Sequence, residues 1–305
     1  MTAGKEFIQM VWCEALADDC RQIVRLAIRE DLDRGHDWTS VALAPADARG
    51  HAAVVARQAG IIAGLPIAQL ALEEMDVAVN WRTRTSDGQA VADGDVVAEL
   101  DGPVREMLTA ERLLLNLLGR LSGVATLTRQ FVDAVRETPA RIYDTRKTTP
   151  GWRRMEKYAV QCGGGRNHRT GLFDAVLIKD NHLAWLPLRP GEAVRRAREF
   201  LRSVLRDPAQ AEMMIVEVEV DTLEQLDEAL PAGPDLVLLD NMSLDQLREA
   251  VARRNAAAPA IELEASGGVD LRTVRGIAET GVERISVGAL THSAVSLDLA
   301  LDWSV

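Results

Sequence analysis

The chain has 305 residues, which is long enough for two domains or for one barrel with an appendage. Its 46 acidic residues outnumber its 35 basic residues, and the net charge of −11 argues against binding of nucleic acid or of an anionic membrane by the whole surface. A hydrophobic fraction of 47% is ordinary for a globular protein, so any anion must be met by a local basic pocket.

The N-terminal segment contains no long apolar run followed by a small-residue cleavage site, and no apolar run of membrane-spanning length occurs elsewhere. We therefore expect a cytoplasmic protein that binds neither membranes nor nucleic acid. Its three cysteines, Cys13, Cys20 and Cys162, lack paired spacing, which predicts reduced thiols and supports neither a disulfide framework nor a zinc site.

The first third of the chain predicts a small α/β layer. Residues 18–31 have apolar groups at helical spacing behind an acidic start, and residues 51–66 predict a strand interrupted by glycines. A second helix is predicted from Pro66 to Glu74, and alternating residues from Val77 to Leu100, broken by Asp-Gly turns, predict short antiparallel strands. A long helix with a wide leucine face is predicted over residues 104–135.

Beyond Arg141, strand and helix patterns alternate, which is typical of parallel strands joined by crossover helices. Six short β-rich runs are too few for a regular eight-stranded barrel, but they are compatible with an irregular barrel or an open doubly wound sheet. The runs are RIYDTRK, AVLIKD, MMIVEVEV, DLVLLD, AIELEAS and RISVGAL.

Polar residues, and in the last run a glycine, lie at the C-terminal ends of these six runs, where barrels and open α/β sheets build their sites. In chain order they are Arg146 and Lys147, Lys179, Glu217 and Glu219, Asp240, Glu264 and Ser266, and Gly288. We expect these residues to contribute to one site.

Three of these residues are cations that close apolar strands, namely Arg146, Lys147 and Lys179. A buried charge is costly unless a partner meets it, so these positions predict an anionic ligand. Three further cations are predicted on the solvated face of a helix, namely Arg153, Arg154 and Lys157.

Residues 163–165 are three consecutive glycines, which let the backbone approach a ligand closely or adopt positive φ. A triple glycine is a weak signal alone, but here Asn167, His168 and Arg169 follow directly and strengthen it.

The acidic residues Glu217 and Glu219 share one strand face by their spacing of two, and Asp240 ends the next strand. Neither histidine nor cysteine is expected beside them, and carboxylate oxygens without such neighbours suit Mg²⁺ and ribose hydroxyls. The alternative is an ion-pair network with the basic cluster.

The last two predicted strands are followed by small residues and then by helix starts, in AIELEASGGV and RISVGALTHSA. Backbone donors of this kind bind phosphate in barrel enzymes. The substrates should therefore be polyanionic and phosphorylated.

Because no Ser-His-Asp arrangement, P-loop or dinucleotide fingerprint is present, acyl transfer, nucleotide hydrolysis and hydride transfer are less attractive as reactions of this chain.

Several motifs occur together in this chain: DTRKTTPG, EKYAVQCGGGRNHR, LIKDNH, EVEV, LLDN, EASGG and SVGALTHS. Over nearly its whole length the chain resembles the quinolinate phosphoribosyltransferase family, also called nicotinate-nucleotide pyrophosphorylase (carboxylating). The resemblance implies that quinolinate and phosphoribosyl pyrophosphate, with Mg²⁺, give nicotinate mononucleotide, pyrophosphate and CO₂ in de novo NAD biosynthesis.

The resemblance also implies a fold and an assembly. An N-terminal α/β sandwich-like domain is expected at residues 1–122, and an irregular, incomplete α/β barrel at residues 123–296. The C-terminal tail, residues 297–305, is expected to pack on the first domain. A homodimer is expected, in which each subunit closes the active site of its partner.

By the same resemblance, the two quinolinate carboxylates are expected at Arg146, His168 and Arg169. Arg112 matches an arginine that family members contribute from the neighbouring subunit. Lys147 and Lys179 match lysines near the two substrates.

The resemblance implies that Glu219 and Asp240 meet the ribose and its Mg²⁺. They are therefore expected to be catalytic residues, together with the two lysines, and to be the metal ligands. The loops that hold the 5′-phosphate are expected at Ser266, Gly267, Gly268 and Gly288.

Two alternatives stay open from the sequence. One is a paralogue of the same fold, like the ModD proteins associated with molybdenum transport, that acts on another anionic acceptor; Lys179 in the KDNH motif favours the quinolinate enzyme over it. The other is a non-catalytic anion-binding protein, which would gain nothing from Glu219 and Asp240 beside its ligand.

Overall fold

The computed structural model describes residues 5–304, which form two compact units. The first unit comprises a segment that ends at Gln9, residues 130–147 and residues 165–289. The second unit comprises residues 10–129, residues 148–164 and a segment that begins at Leu290. These units differ in outline from the two domains predicted above, whose boundaries stay a prediction.

Within the described residues, the strands are β1 (Arg49–Ala56), β2 (Gly60–Ile61), β3 (Asn80–Thr83), β4 (Ala90–Val91), β5 (Val96–Pro103), β6 (Arg141–Tyr143), β7 (Val176–Ile178), β8 (Val216–Val220), β9 (Leu236–Asp240), β10 (Glu262–Ser266), β11 (Arg284–Ser286) and β12 (Leu299–Ser304). The helices are α1 (Glu14–Leu32), α2 (Trp38–Leu43), α3 (Leu65–Glu74), α4 (Val104–Val135), α5 (Arg153–Cys162), α6 (Asp180–Trp185), α7 (Pro190–Val204), α8 (Pro208–Met213), α9 (Leu223–Ala229), α10 (Leu244–Ala257), α11 (Val274–Ala278) and α12 (Ala289–His292). None of the helices in this part of the chain combines the length and apolarity needed to cross a bilayer.

The second unit contains a four-stranded antiparallel sheet in the order β12-β1-β5-β3. The C-terminal strand β12 pairs with β1 from His51 opposite Ser304 to Ala56 opposite Leu299. The two Asp-Gly turns predicted from the sequence lie on either side of β4, and Gly88 and Gly94 there take φ of 86° and 87°.

The helix α4 has the bounds predicted from its leucine pattern. Its apolar face is buried, as the helical spacing requires; the members of this face are Leu113, Leu114, Leu117, Leu118 and Leu121. The three cysteines, Cys13, Cys20 and Cys162, are free thiols, as their spacing predicted.

The first unit is built on six parallel strands in the order β6-β11-β10-β9-β8-β7. They are the six strands predicted from the sequence, and crossover helices connect β7 to β11 in succession. At the β6 edge, Arg166 forms an isolated parallel bridge with Tyr143, and the chain then runs on to β7. The prediction of an irregular, incomplete barrel is therefore confirmed, whereas an open doubly wound sheet is not what forms.

The N-terminal segment of the first unit packs into its core. Phe7 is 4% exposed and forms a buried cluster, whose other members are Tyr143, Ala175, Ile215 and Leu236. The fully buried Arg284 lies over the Phe7 ring and donates to Glu262 at 2.5 Å and to the Lys5 carbonyl at 2.6 Å. The inside of this unit is thus lined partly by paired charges.

Candidate active site

One carboxylate joins the two motifs that carry most of the cations. Asp144, fully buried after β6, accepts a hydrogen bond from the His168 backbone N–H at 2.9 Å and from Asn167 Nδ2 at 2.7 Å. The backbone of Asp144 also donates to the Arg166 carbonyl at 3.0 Å. Sequence reasoning gave Asp144 no role, although an acid among so many basic residues was a usable signal.

Two guanidinium groups come together at this end of the sheet. Arg169 is 6% exposed, and its pKa is lowered, first by burial and then by the positive charge of Arg146. The buried Nε of Arg146 has no hydrogen-bond partner in the part of the chain that the structure describes. Two cations that repel each other, one with an unused donor, form a place where an anion would be stabilised.

The two lysines occupy different environments. Lys179 is half-buried and donates from Nζ to Glu219 at 2.7 Å, so it already has a carboxylate partner. Lys147 is exposed, and the expectation of a buried strand-end cation is wrong for this residue because the chain leaves the sheet after Tyr143.

The carboxylates at the ends of β8 and β9 accumulate negative charge. The pKa of Asp240 is raised by partial burial, then by Glu219 and Asp221, and the pKa of Asp221 is raised by burial, then by Glu219 and Asp180. Their oxygen donors and mutual repulsion fit a hard divalent cation such as Mg²⁺, which keeps waters or substrate oxygens as its remaining ligands. Sequence reasoning missed Asp221.

A deeper cluster lies beneath these groups. Glu217 and Glu264 are fully buried, and their oxygens lie 3.0 Å and 3.5 Å from Nε2 of the buried His168. Glu217 was grouped with Glu219 from the sequence as an oxygen donor with no histidine beside it, which is wrong for Glu217 because the fold brings His168 to it. The strand face is the one predicted, but Glu217 belongs to the barrel interior, whereas Glu219 pairs with Lys179.

The loop after β10 has the backbone that the glycines predicted. Gly267 and Gly268 have φ of +93° and +59°, and a Cβ on Gly267 would lie 2.1 Å from Asn241 Oδ1. The Asn241 N–H donates to the Ser266 carbonyl at 2.9 Å. A helix does not start directly here, since α11 begins only at Val274.

The loop after β11 follows the prediction more closely. Gly288 is half-buried and immediately precedes the short helix α12. Arg112, in contrast, lies on α4 in the second unit, with its side chain 69% exposed.

Helix α5 in the second unit is more deeply buried than its sequence suggested. Lys157 is fully buried, so the prediction of a solvated position is wrong for it, because this face of α5 packs into the unit. Gly163 ends α5, and a Cβ there would lie 2.5 Å from the Ala125 carbonyl oxygen. Its close backbone approach is therefore to helix α4, whereas Gly164 takes the positive φ, 89°, that was the other predicted use of these glycines.

A buried ion pair, missed from the sequence, holds the start of α5. Glu156 is fully buried and accepts from Arg120 Nη2 at 2.6 Å, from the Thr149 N–H at 3.0 Å and from Thr149 Oγ1 at 2.9 Å. Arg120 Nη1 also donates to the Ala294 carbonyl at 2.8 Å. This network fixes the loop of residues 148–151, TTPG, within the second unit.

Family models match nearly the whole chain. Residues 37–122 match the N-terminal domain of quinolinate phosphoribosyl transferase, and residues 124–302 match its C-terminal domain.

Curated relatives carry the same kind of name. The nicotinate-nucleotide pyrophosphorylase (carboxylating) of Mycobacterium leprae is 45% identical over 287 residues, which are 93% of this chain and 97% of the relative. A probable nicotinate-nucleotide pyrophosphorylase (carboxylating) of Bacillus subtilis is 43% identical over 82% of both chains.

Solved structures are similar over comparable lengths. The nicotinate-nucleotide pyrophosphorylase of Francisella tularensis is 36% identical, with a TM-score of 0.87, over 98% of this chain and 100% of that chain. The enzyme of that name from Ehrlichia chaffeensis is 35% identical, with a TM-score of 0.82, over 93% and 98%.

Proposed function

Because the chain belongs to the quinolinate phosphoribosyl transferase family, we propose that it transfers the phosphoribosyl group of phosphoribosyl pyrophosphate to quinolinate. The products are nicotinate mononucleotide, pyrophosphate and CO₂, so the chain is a decarboxylating pentosyltransferase of NAD biosynthesis. The observation that carries this proposal is the presence of the buried Arg169, and of an Arg146 whose buried Nε no described residue bonds, in the same unit as the carboxylates that end β8 and β9.

Quinolinate is a dicarboxylate, and its two negative charges match the two guanidinium groups. Arg146 has a buried Nε that no residue between 5 and 304 bonds, and Arg169 is desolvated, so each gains more from a carboxylate than an exposed arginine would. His168 completes the quinolinate site. Arg112 is exposed on α4, as a residue that serves a partner subunit would be.

Positive charge develops at the anomeric carbon as its bond to pyrophosphate breaks. The carboxylates of Glu219 and Asp240 stabilise that charge, and Lys147 and Lys179 stabilise the departing pyrophosphate. Because Lys179 already donates to Glu219, the lysine and the carboxylate are held in fixed positions before substrate arrives.

Glu219 and Asp240 would hold Mg²⁺, together with oxygens of the substrate. The raised pKa of Asp240 beside Glu219 supports this assignment, because a divalent cation relieves the repulsion between the two carboxylates. When bound, the ion neutralises charge on the leaving pyrophosphate.

The 5′-phosphate is assigned to the loops after β10 and β11. Gly267 and Gly268 turn the chain with positive φ, which frees their N–H groups from the sheet, and the remaining residues of the phosphate site are Ser266 and Gly288.

Decarboxylation needs no dedicated acid or base in this scheme. Once the pyridine nitrogen carries the ribose, the cationic ring stabilises the electron pair left on the ring carbon when the adjacent carboxylate leaves as CO₂, and that carbon then takes a proton from water. The protein's contribution is to hold the ring by its carboxylates at Arg146 and Arg169.

The enzyme is proposed to be a cytoplasmic homodimer that binds only its small-molecule substrates. Its acidic net charge of −11 disfavours nucleic-acid and anionic-membrane partners.

The experiment that tests the function is an assay of the purified protein with phosphoribosyl pyrophosphate, Mg²⁺ and either quinolinate or nicotinate. Nicotinate mononucleotide and CO₂ should appear together from quinolinate only, and omission of Mg²⁺ should abolish both. Product from nicotinate, or no product from either acid, would make a paralogue with a different anionic acceptor the leading explanation. Quinolinate binding without turnover would indicate a non-catalytic anion-binding protein.

A further inference from the structure

The His168 ring is held by a stacking contact on one face and by neighbours at both of its ring nitrogens. It is 5% exposed and stacks on Phe7, with 4.2 Å between ring centroids. Nδ1 accepts a hydrogen bond from the Arg169 backbone N–H at 2.8 Å. A ring nitrogen that accepts a hydrogen bond carries no proton, so the proton of the neutral ring lies on Nε2.

The protonated Nε2 faces two carboxylates that the proposed chemistry leaves without a role. Glu217 Oε2 lies 3.0 Å away and Glu264 Oε1 lies 3.5 Å away, both at ion-pair distance but without the alignment of a hydrogen bond. Both side chains are fully buried, where a carboxylate is costly unless it serves a partner.

The charges around these carboxylates connect them to the substrate residues. Arg169 and Arg284 are among the cations that stabilise ionised Glu217, and Arg284 also stabilises ionised Glu264. Glu217 therefore lies between the His168 ring, at 3.0 Å from Nε2, and the charge of Arg169.

We propose that Glu217 and Glu264 are positioning residues for quinolinate: they hold His168 as the tautomer protonated at Nε2, and His168 Nδ1 in turn fixes the backbone of Arg169. The inference rests on the proposed function, because it takes Arg169 as a quinolinate ligand. In this arrangement His168 contributes to the quinolinate site through Arg169, because Nδ1 accepts from the Arg169 backbone and Nε2 faces Glu217.

The tautomer is measured directly by nitrogen NMR of protein labelled with ¹⁵N-histidine, without any substrate. In the wild type, the His168 resonances should show an unprotonated Nδ1 and a protonated Nε2, with a His168→Gln variant used for assignment. A ring protonated at Nδ1, or a stoichiometric metal ion bound by the three side chains, would overturn the proposal whatever the enzyme's substrate is.

The kinetic test uses Glu217→Gln and Glu264→Gln, with Glu262→Gln as the matched control. Glu262 lies on the same strand as Glu264, but its partners are Arg141 and Arg284. The first two variants should raise KM for quinolinate roughly tenfold, since a small displacement of a substrate ligand is enough. The KM for phosphoribosyl pyrophosphate should stay within about twofold, and the His168 resonances should shift toward a mixture of tautomers.

The control variant should leave both KM values and the tautomer unchanged. Equal losses for both substrates, or losses in Glu262→Gln as large as in the other two, would indicate only a structural role and would overturn the proposal. A wild type that does not convert quinolinate would refute the proposed function, whereas the tautomer measurement would still decide the state of His168.

Discussion

Arg146 combines properties that an arginine with a purely structural role would not have. It is half-buried, its Nε has no hydrogen-bond partner among the described residues, and its charge lowers the pKa of Arg169. Such a repulsive pair is retained at a cost in stability, which is reasonable when an anion binds between the two groups.

Replacement of Arg146 tests this interpretation. Arg146→Ala should lower kcat/KM for quinolinate about 100-fold, roughly 3 kcal/mol, because a charge-assisted contact to a desolvated carboxylate is lost. The matched control is Arg166→Ala, since Arg166 is exposed on the same segment and pairs with Glu6. Steady-state kinetics that are the same for both variants would remove Arg146 from the site.

Glu264 makes stability depend on pH. Burial and the neighbouring Glu217 raise its pKa from the ordinary 4.5 to about 7. Between these two values the folded protein binds more protons at this carboxyl than the unfolded chain, so the free energy of unfolding falls as pH rises. This contribution is fully present below pH 4.5, is lost by about pH 7 and amounts to roughly 3 kcal/mol.

Urea unfolding at a series of pH values measures this effect. The free energy of unfolding of the wild type should fall relative to that of Glu264→Gln between about pH 4.5 and 7, because the amide of the variant does not titrate. Parallel curves for the two proteins would show that Glu264 titrates normally in the folded state.

At the scale of elements, the strand ends place functional groups through backbone conformation as well as through side chains. The loop after β10 is the clearest case, because Gly267 combines a positive φ with an Asn241 side chain where a Cβ would lie.

Gly267→Ala should raise KM for phosphoribosyl pyrophosphate by roughly tenfold, because the strained loop must shift by about the size of a methyl group. Gly233→Ala is the control, since Gly233 also has a positive φ but has nothing within 4 Å of its Cβ position. Kinetics would contradict the assignment if the two variants had the same small effect.

The start of helix α5 depends on the buried pair of Arg120 and Glu156. Glu156→Ala should lower the free energy of unfolding by about 3 kcal/mol, because it leaves Arg120 without its carboxylate. A double-mutant cycle with Arg120→Ala should give a coupling energy above about 1 kcal/mol. The exposed pair of Arg253 and Glu249 on α10 is the control, and its coupling should stay below about 0.5 kcal/mol. Equal coupling in the two pairs would refute a special role for Glu156.

At the scale of the whole molecule, the proposed homodimer makes a quantitative prediction. Arg112→Ala and Asp240→Asn should each be inactive alone, but mixed dimers should regain one complete site in which Arg112 and Asp240 come from different subunits. An equal mixture, exchanged through unfolding and refolding, should recover about a quarter of wild-type activity. No recovery, with mixed dimers verified by mass spectrometry, would mean that both residues serve the site of their own chain.

Much of the fold follows from local patterns. The six parallel strands, the long helix α4 and the Asp-Gly turns around β4 were predicted correctly, because side-chain periodicity and turn chemistry depend on neighbours in the sequence. Burial was predicted less well. Lys147 is exposed and Lys157 is buried, the reverse of what their positions suggested, because exposure depends on what packs against an element from elsewhere.

The sequence by itself determined the family, the order of the strands along the chain and the set of charged residues at their C-terminal ends. Those properties reside in motifs and in periodic spacing, which are visible without any knowledge of contacts. The sequence could not distinguish the role of Glu217 from that of Glu219, because both are glutamates on the same strand face.

Only the tertiary structure decided that Glu217 lies with Glu264 and His168 in the barrel interior, whereas Glu219 pairs with Lys179. Phe7, from the N-terminal segment, supplies the ring on which His168 stacks. A carboxylate's role depends on the charge and solvent around it, and distant segments supply that environment only when the chain folds.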